Sequence, residues 1–89
     1  MKNIDDVRIE LFDAFVEENW FFDVRIYPAF FADEYEVELI VNENFSISNL
    51  EDVKDELKYH GFKVYDVNYS IKKRDVKDTY SVEFYVERG

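Results

Sequence analysis

Asn3-Ile4-Asp5-Asp6-Val7-Arg8-Ile9-Glu10-Leu11 and Asn49-Leu50-Glu51-Asp52-Val53-Lys54-Asp55-Glu56-Leu57 are near copies of one another. Tyr35-Glu36-Val37-Glu38-Leu39-Ile40-Val41 likewise matches Tyr80-Ser81-Val82-Glu83-Phe84-Tyr85-Val86. Between them, Phe22-Asp23-Val24 aligns with Tyr65-Asp66-Val67. Three matches in one order read as a unit duplicated and fused, with pseudo-repeats 3–41 and 49–86 inside a single domain, residues 1–89.

Each repeat opens with a helical pattern. Ile4, Val7, Leu11, Ala14 and Phe15 share one face at 3.6-residue spacing, which predicts a helix over 4–18 with Asn3 as its N-cap. Leu50, Val53 and Leu57 form the stripe of a second helix over 49–60. Ser48-Asn49-Leu50-Glu51 has the form of a capping box at its start, and Gly61 suits the left-handed position at its end. Two alternating stretches follow each helix, as half-buried antiparallel strands require. In the first repeat Phe22, Val24 and Ile26 face inward, then Tyr35, Val37, Leu39 and Val41, and Pro28 ends the first strand because it cannot donate to a ladder. In the second repeat Tyr65, Val67, Tyr69 and Ile71 face inward, then Tyr80, Val82, Phe84 and Val86.

The expected fold class is α+β: an internally duplicated αββ-αββ chain forming one four-stranded antiparallel sheet, with two helices on one face. Strand order is not readable. The other face would carry Phe21, Asp23, Arg25, Tyr27, Glu36, Glu38, Ile40, Val64, Asp66, Asn68, Glu83 and Tyr85. That set is too aromatic for a face meant only for solvent. Phe21, Tyr27, Ile40 and Tyr85 are accordingly its candidate dimer contacts.

A chain of 89 residues buries only about 60% of its unfolded surface. Sixteen Phe and Tyr residues with one Trp offset this, because each buried ring removes a large apolar area from water. There is no cysteine, so disulfides and thiolate metal sites are excluded. The acidic opening Met1-Lys2-Asn3-Ile4-Asp5-Asp6 does not read as a signal peptide, and no apolar run reaches membrane-spanning length, which gives a cytoplasmic expectation. Glutamine is absent while Glu, Lys, Tyr and Val are plentiful, a composition that resembles that of thermophile proteins.

The formal charge of −10 argues against direct contact with nucleic acid or an anionic membrane. It is unevenly placed. Residues 1–49 hold twelve acids and three bases, whereas residues 50–89 hold nine acids and eight bases. In the first helix Asp6, Glu10, Asp13 and Glu17 form one ridge of like charge, with neighbours that repel by a few tenths of a kcal/mol per pair. Glu17 and Glu18 would sit at the helix C-terminus, where the macrodipole disfavours anions. Solvation alone does not call for that arrangement; a basic partner does. A second stripe, Ile9, Phe12 and Val16, packs on the second helix or Trp20, or else forms an interface.

The hairpin turns differ too. The first, Tyr27-Pro28-Ala29-Phe30-Phe31-Ala32-Asp33-Glu34, is aromatic and acidic. Phe30 and Phe31 are expected to fold back and plug the core end, and would be interface anchors if they project. The second turn carries Lys72-Lys73-Arg74, which reads as a solvated tip, or alternatively one that pairs with the acidic ridge of another copy.

Catalytic signatures are missing. His60 is the sole histidine and favours the negative end of the second helix; with no second His and no Cys, zinc has no ligand set. Glycines occur only at 61 and 89, so phosphate-cradling loops are excluded. Asn42-Glu43-Asn44-Phe45-Ser46-Ile47-Ser48 has alternate oxygen donors but lacks the glycine and glutamate of a calcium loop.

The leading expectation is therefore a non-enzymatic acidic protein, without cofactor or metal, that occupies a basic, nucleic-acid-binding surface of a partner protein. A viral or mobile-element inhibitor such as an anti-CRISPR or anti-restriction nucleic-acid mimic fits that description. Asp6, Glu10, Asp13, Glu17, Glu36 and Glu38 would carry the charge, with Phe30 and Phe31 as anchors. The alternatives are a small self-associating adaptor, homodimeric through the open sheet face, and more distantly a carboxylate-based binder of divalent cations.

Overall fold

The computed structural model describes residues 3–64 and 69–89. The chain is α+β, and its described residues form two helices and an antiparallel sheet of five strand segments. In chain order these are α1 (Ile4–Phe15), β1 (Phe21–Pro28), β2 (Glu34–Val41), α2 (Ile47–Tyr59), β3 (Phe62–Lys63), β4 (Ser70–Lys73) and β5 (Tyr80–Arg88). The sheet order is β1-β2-β5-β3, with β4 also on β5. Among the described residues no helix is long and apolar enough to cross a membrane.

The two central strands pair along their whole length, from Glu34↔Glu87 to Val41↔Tyr80. On the far side of β5, β3 pairs at Phe62↔Arg88 and Lys63↔Glu87, and β4 at Ser70↔Glu83 through Lys73↔Tyr80. Six residues separate Lys63 from Ser70 where only three separate Glu87 from Glu83, so the two pieces sit in registers three residues apart. Among the described residues, the third strand expected from sequence is represented by these two segments. The inward placement expected for Tyr65 and Val67, and the open-face placement of Asp66 and Asn68, lie outside the described residues.

One buried cluster joins Val7, Leu11 and Phe15 of α1 and Leu50, Val53 and Leu57 of α2 to Val24, Ile26, Val37, Leu39, Val41, Val82, Phe84 and Val86 of the strands. Burial of this cluster drives folding at about 25 cal/mol per Å² of apolar surface removed from water.

α1 stops at Phe15, short of residue 18. The Glu18 N–H turns back to the Phe15 carbonyl at 2.9 Å, and this reversal sends Trp20 inward against Phe15, Phe21 and Phe45. Burial of that indole outweighs another helical turn ending in two anions. The first cap is as expected, with Asn3 Oδ1 accepting from the Asp6 N–H at 2.9 Å. The second is not. Ser46, rather than Ser48, is the N-cap of α2, and Asn49 Oδ1 accepts from the Ser46 N–H at 2.8 Å. Asparagine here performs the reach-back usually assigned to Glu or Gln. Gly61, at φ +90°, closes α2 in the left-handed region.

β1 departs from simple alternation. A register shift lies between Phe21 and Asp23, which pair with the consecutive residues Val41 and Ile40. The additional residue is a β-bulge, which changes the face to which the preceding side chain belongs. Phe21 is therefore in the core at 6% exposure and Phe22 is outside at 50%, the reverse of the sequence expectation. Val64, expected on the open face, packs against the core instead.

Candidate functional site

The sheet positions that alternate with the core residues Val37, Leu39, Val82 and Phe84 form rows set by the register. Tyr27, Glu36 and Tyr85 form one row, Arg25, Glu38, Glu83 and Ser70 the next, and Asp23, Ile40, Ser81 and Lys72 the third. Along β2 and β5 this brings Glu36 and Glu38 beside Glu83, with Glu34 and Glu87 opposed at one end. Like charges directly opposite destabilise a sheet. The face meets that cost locally. Ser81 donates its hydroxyl to Glu38 Oε2 at 2.6 Å; Arg25 approaches Glu38 at 3.5 Å, and Lys72 approaches Glu83 at 3.7 Å.

Glu36 lies between two half-exposed tyrosines. Its charge and its hydrogen bond to the Tyr85 hydroxyl push the Tyr85 pKa upward, because both disfavour a phenolate beside a carboxylate. The Arg25 guanidinium is held further above its usual range by a hydrogen bond to Tyr27 and by the charges of Tyr27 and Glu38.

The expected dimer face is divided by the structure. Tyr27 and Tyr85 are exposed on it, but Phe21 belongs to the core and Ile40 is only 4% exposed. Of the four expected contacts only the two tyrosines are exposed, beside Glu36 in their own row and Arg25 and Glu38 in the next.

The expected acidic ridge is also shorter than its spacing suggests. Asp6 and Asp13 are exposed on α1. Glu10 is turned to His60, whose Nδ1 lies 3.3 Å from Glu10 Oε2, while His60 Nε2 lies 3.6 Å from Glu56 of α2. His60 is the C-cap residue of α2, and its side chain is only 6% exposed. It thus bridges the two helices, a role the isolated C-terminal position did not disclose. Glu17 is beyond α1, in the turn before Trp20. Glu36 and Glu38 alternate with the core residues Val37 and Leu39, so they face away from the layer in which α1 packs. The sequence-predicted carboxylates consequently form two surfaces.

Phe30 and Phe31 project, at 93% and 66% exposure, with their rings 5.3 Å apart. They do not plug the core, because Tyr35 against Phe62 already closes that end. Within the turn the Ala29 N–H donates to the Glu34 carbonyl at 2.9 Å, and Asp33 takes a φ of 64°. At the opposite end of β2, Val41, Asn42, Glu43, Phe45, Ile71 and Tyr80 line an open cavity of about 230 Å³.

The oxygen-rich loop before α2 serves the backbone. Asn42 Oδ1 accepts from the Asn44 N–H at 2.8 Å, and the Asn42 amide donates to the Asn19 carbonyl at 2.6 Å. Among the described residues no group of three or more His, Asp or Glu side chains converges as metal ligands would. No protein-family model matches the chain, and a search of curated proteins finds no significant match.

Proposed function

We propose that this is a non-enzymatic acidic protein that occupies a basic, nucleic-acid-binding surface of a partner protein, in the manner of a viral or mobile-element inhibitor such as an anti-CRISPR or anti-restriction mimic. The observation that carries this reading is the outward presentation of Asp6 and Asp13 on a helix with no basic residue in its last turn, within a chain of net charge −10. Charge of one sign on a rigid helix steers a cationic surface toward it, and the contact weakens steeply with salt. Glu36, between its two tyrosines, offers a second anionic surface on the opposite side.

The same reading rests on a tandem duplication in which both helices pack on one sheet face and the leading copy acquired the charge. Val7 and Leu11 are as deeply buried as their counterparts Val53 and Leu57. The β2–β5 register supports it further. Moving each residue to its counterpart in the other repeat exchanges the strands and maps the pairing onto itself, which pairs Glu38 with its own counterpart Glu83.

The test is capture from a host lysate at low salt, followed by elution with a salt step. The wild-type chain is expected to retain a basic protein that Asp6→Lys/Asp13→Lys does not. Equal capture by both, with the variant folded, would remove α1 from the contact and this assignment with it.

A further inference from the structure

We propose that the protein associates end to end with further copies of itself, the Phe30–Phe31 tip of one copy seating in the cavity beside Ile71 and Tyr80 of the next. The tip is prepared for burial. Phe30 is almost wholly exposed, while the backbone beneath it is fixed by the Ala29–Glu34 hydrogen bond and by the Arg88 N–H donating to the Asp33 carbonyl at 2.7 Å. A rigid apolar projection loses little conformational freedom on docking. The cavity has matching chemistry. Val41 is fully buried at its base, and Phe45, Ile71 and Tyr80 give it apolar walls. An apolar cavity of about 150 Å³ accommodates benzene, so about 230 Å³ admits one phenyl ring.

Charge selects the occupant. The tip carries Asp33 and Glu34 and no base. Lys73 pairs with Tyr80 at the edge of the cavity, and Arg74 and Lys77 follow in the same turn, which carries these three bases against the two acids Asp75 and Asp78. Among the described residues neither Lys73 nor Lys77 has an ion-pair partner. Glu43 is the one opposing charge among the cavity-lining residues. The two ends belong to different copies, because β2 separates them by about 23 Å at about 3.3 Å per residue. A contact between two unlike patches propagates into chains or closes into a ring.

Sedimentation velocity of the full chain up to about 1 mM tests this. The wild-type mass is expected to rise with concentration and fall with salt. Phe30→Ala/Phe31→Ala, and separately Lys73→Glu/Lys77→Glu, are expected to weaken association by about tenfold or more. Ile71→Glu should be monomeric. An equimolar mixture of Phe30→Ala/Phe31→Ala with Ile71→Glu should form dimers and nothing larger, since one intact tip and one intact cavity remain. If Ile71→Glu fails to fold by circular dichroism, Lys73→Glu/Lys77→Glu replaces it in the mixture. A wild-type chain monomeric throughout, association indifferent to Phe30→Ala/Phe31→Ala, or a folded mixture that stays monomeric overturns the proposal. Asp6→Lys/Asp13→Lys leaves this assembly intact, so its outcome is separate from that of the acidic-partner reading.

Discussion

Glu38 of β2 stands directly opposite Glu83 of β5, and the Ser81 hydroxyl donates to Glu38 Oε2 at 2.6 Å while lying 3.5 Å from Glu83 Oε1. One small hydroxyl thus sits between two facing carboxylates and gives its single proton to Glu38. Ser81→Ala leaves Glu38 without that donor and should cost about 1–2 kcal/mol. Urea unfolding measures it; a midpoint equal to wild type would show that Arg25 alone suffices.

Glu36→Gln should return the Tyr85 titration toward its ordinary value of 10.0. The folded-state pKa is raised, so the neutral phenol is the favoured form. Its contribution to stability is complete below the unfolded value near pH 10 and is lost as pH rises through the folded one. Phenolate absorbance, or the Tyr85 ring signals by NMR, follows this directly. A titration that does not move in the variant would remove Glu36 as the cause.

Phe21 and Phe22 are adjacent and chemically identical, yet truncating them should differ sharply. Phe21→Ala opens the core beside Phe12, Phe15 and Trp20 and should cost about 3–5 kcal/mol. Phe22→Ala, on the surface, should stay within about 1 kcal/mol. Equal losses on thermal or chemical unfolding would place the bulge elsewhere.

Asp13→Lys should raise stability by about 0.3–1 kcal/mol, because a cation replaces an anion in the last turn of α1. The same substitution should weaken capture of a basic partner. Opposite movement of the two readouts separates a binding residue from a structural one; a loss of stability would contradict the dipole argument.

Gly61→Ala should cost about 1 kcal/mol. The added Cβ meets nothing within 4 Å, so the loss is conformational, from holding φ near +90°. A thermal shift near zero would mean that the α2 terminus relaxes.

The helical stripes were legible because Val7, Leu11, Val53 and Leu57 repeat at the period of the α-helix and few other residues compete for the core. β2 and β5 were legible from their alternation. The bulge was not, since an extra residue between two phenylalanines leaves the pattern of rings looking regular. Strand order depends on contacts between residues about 45 positions apart, which periodicity does not record. Asp6 and Asp13 were placed correctly on the surface by helical spacing. Glu10 is on the surface as well, its side chain 41% exposed, but its contact with His60 was not legible because His60 comes from the other helix. Glu17 is exposed beyond the end of α1.

The three-residue offset between β3 and β4 has a bearing on solubility. A chain this rich in aromatic and β-branched residues could recruit neighbours strand by strand. Among the described residues one flank of the sheet offers segments of two and four residues out of step with each other, and the other flank is bulged near its start and ends in Pro28. Lateral templating is thereby blunted on both sides.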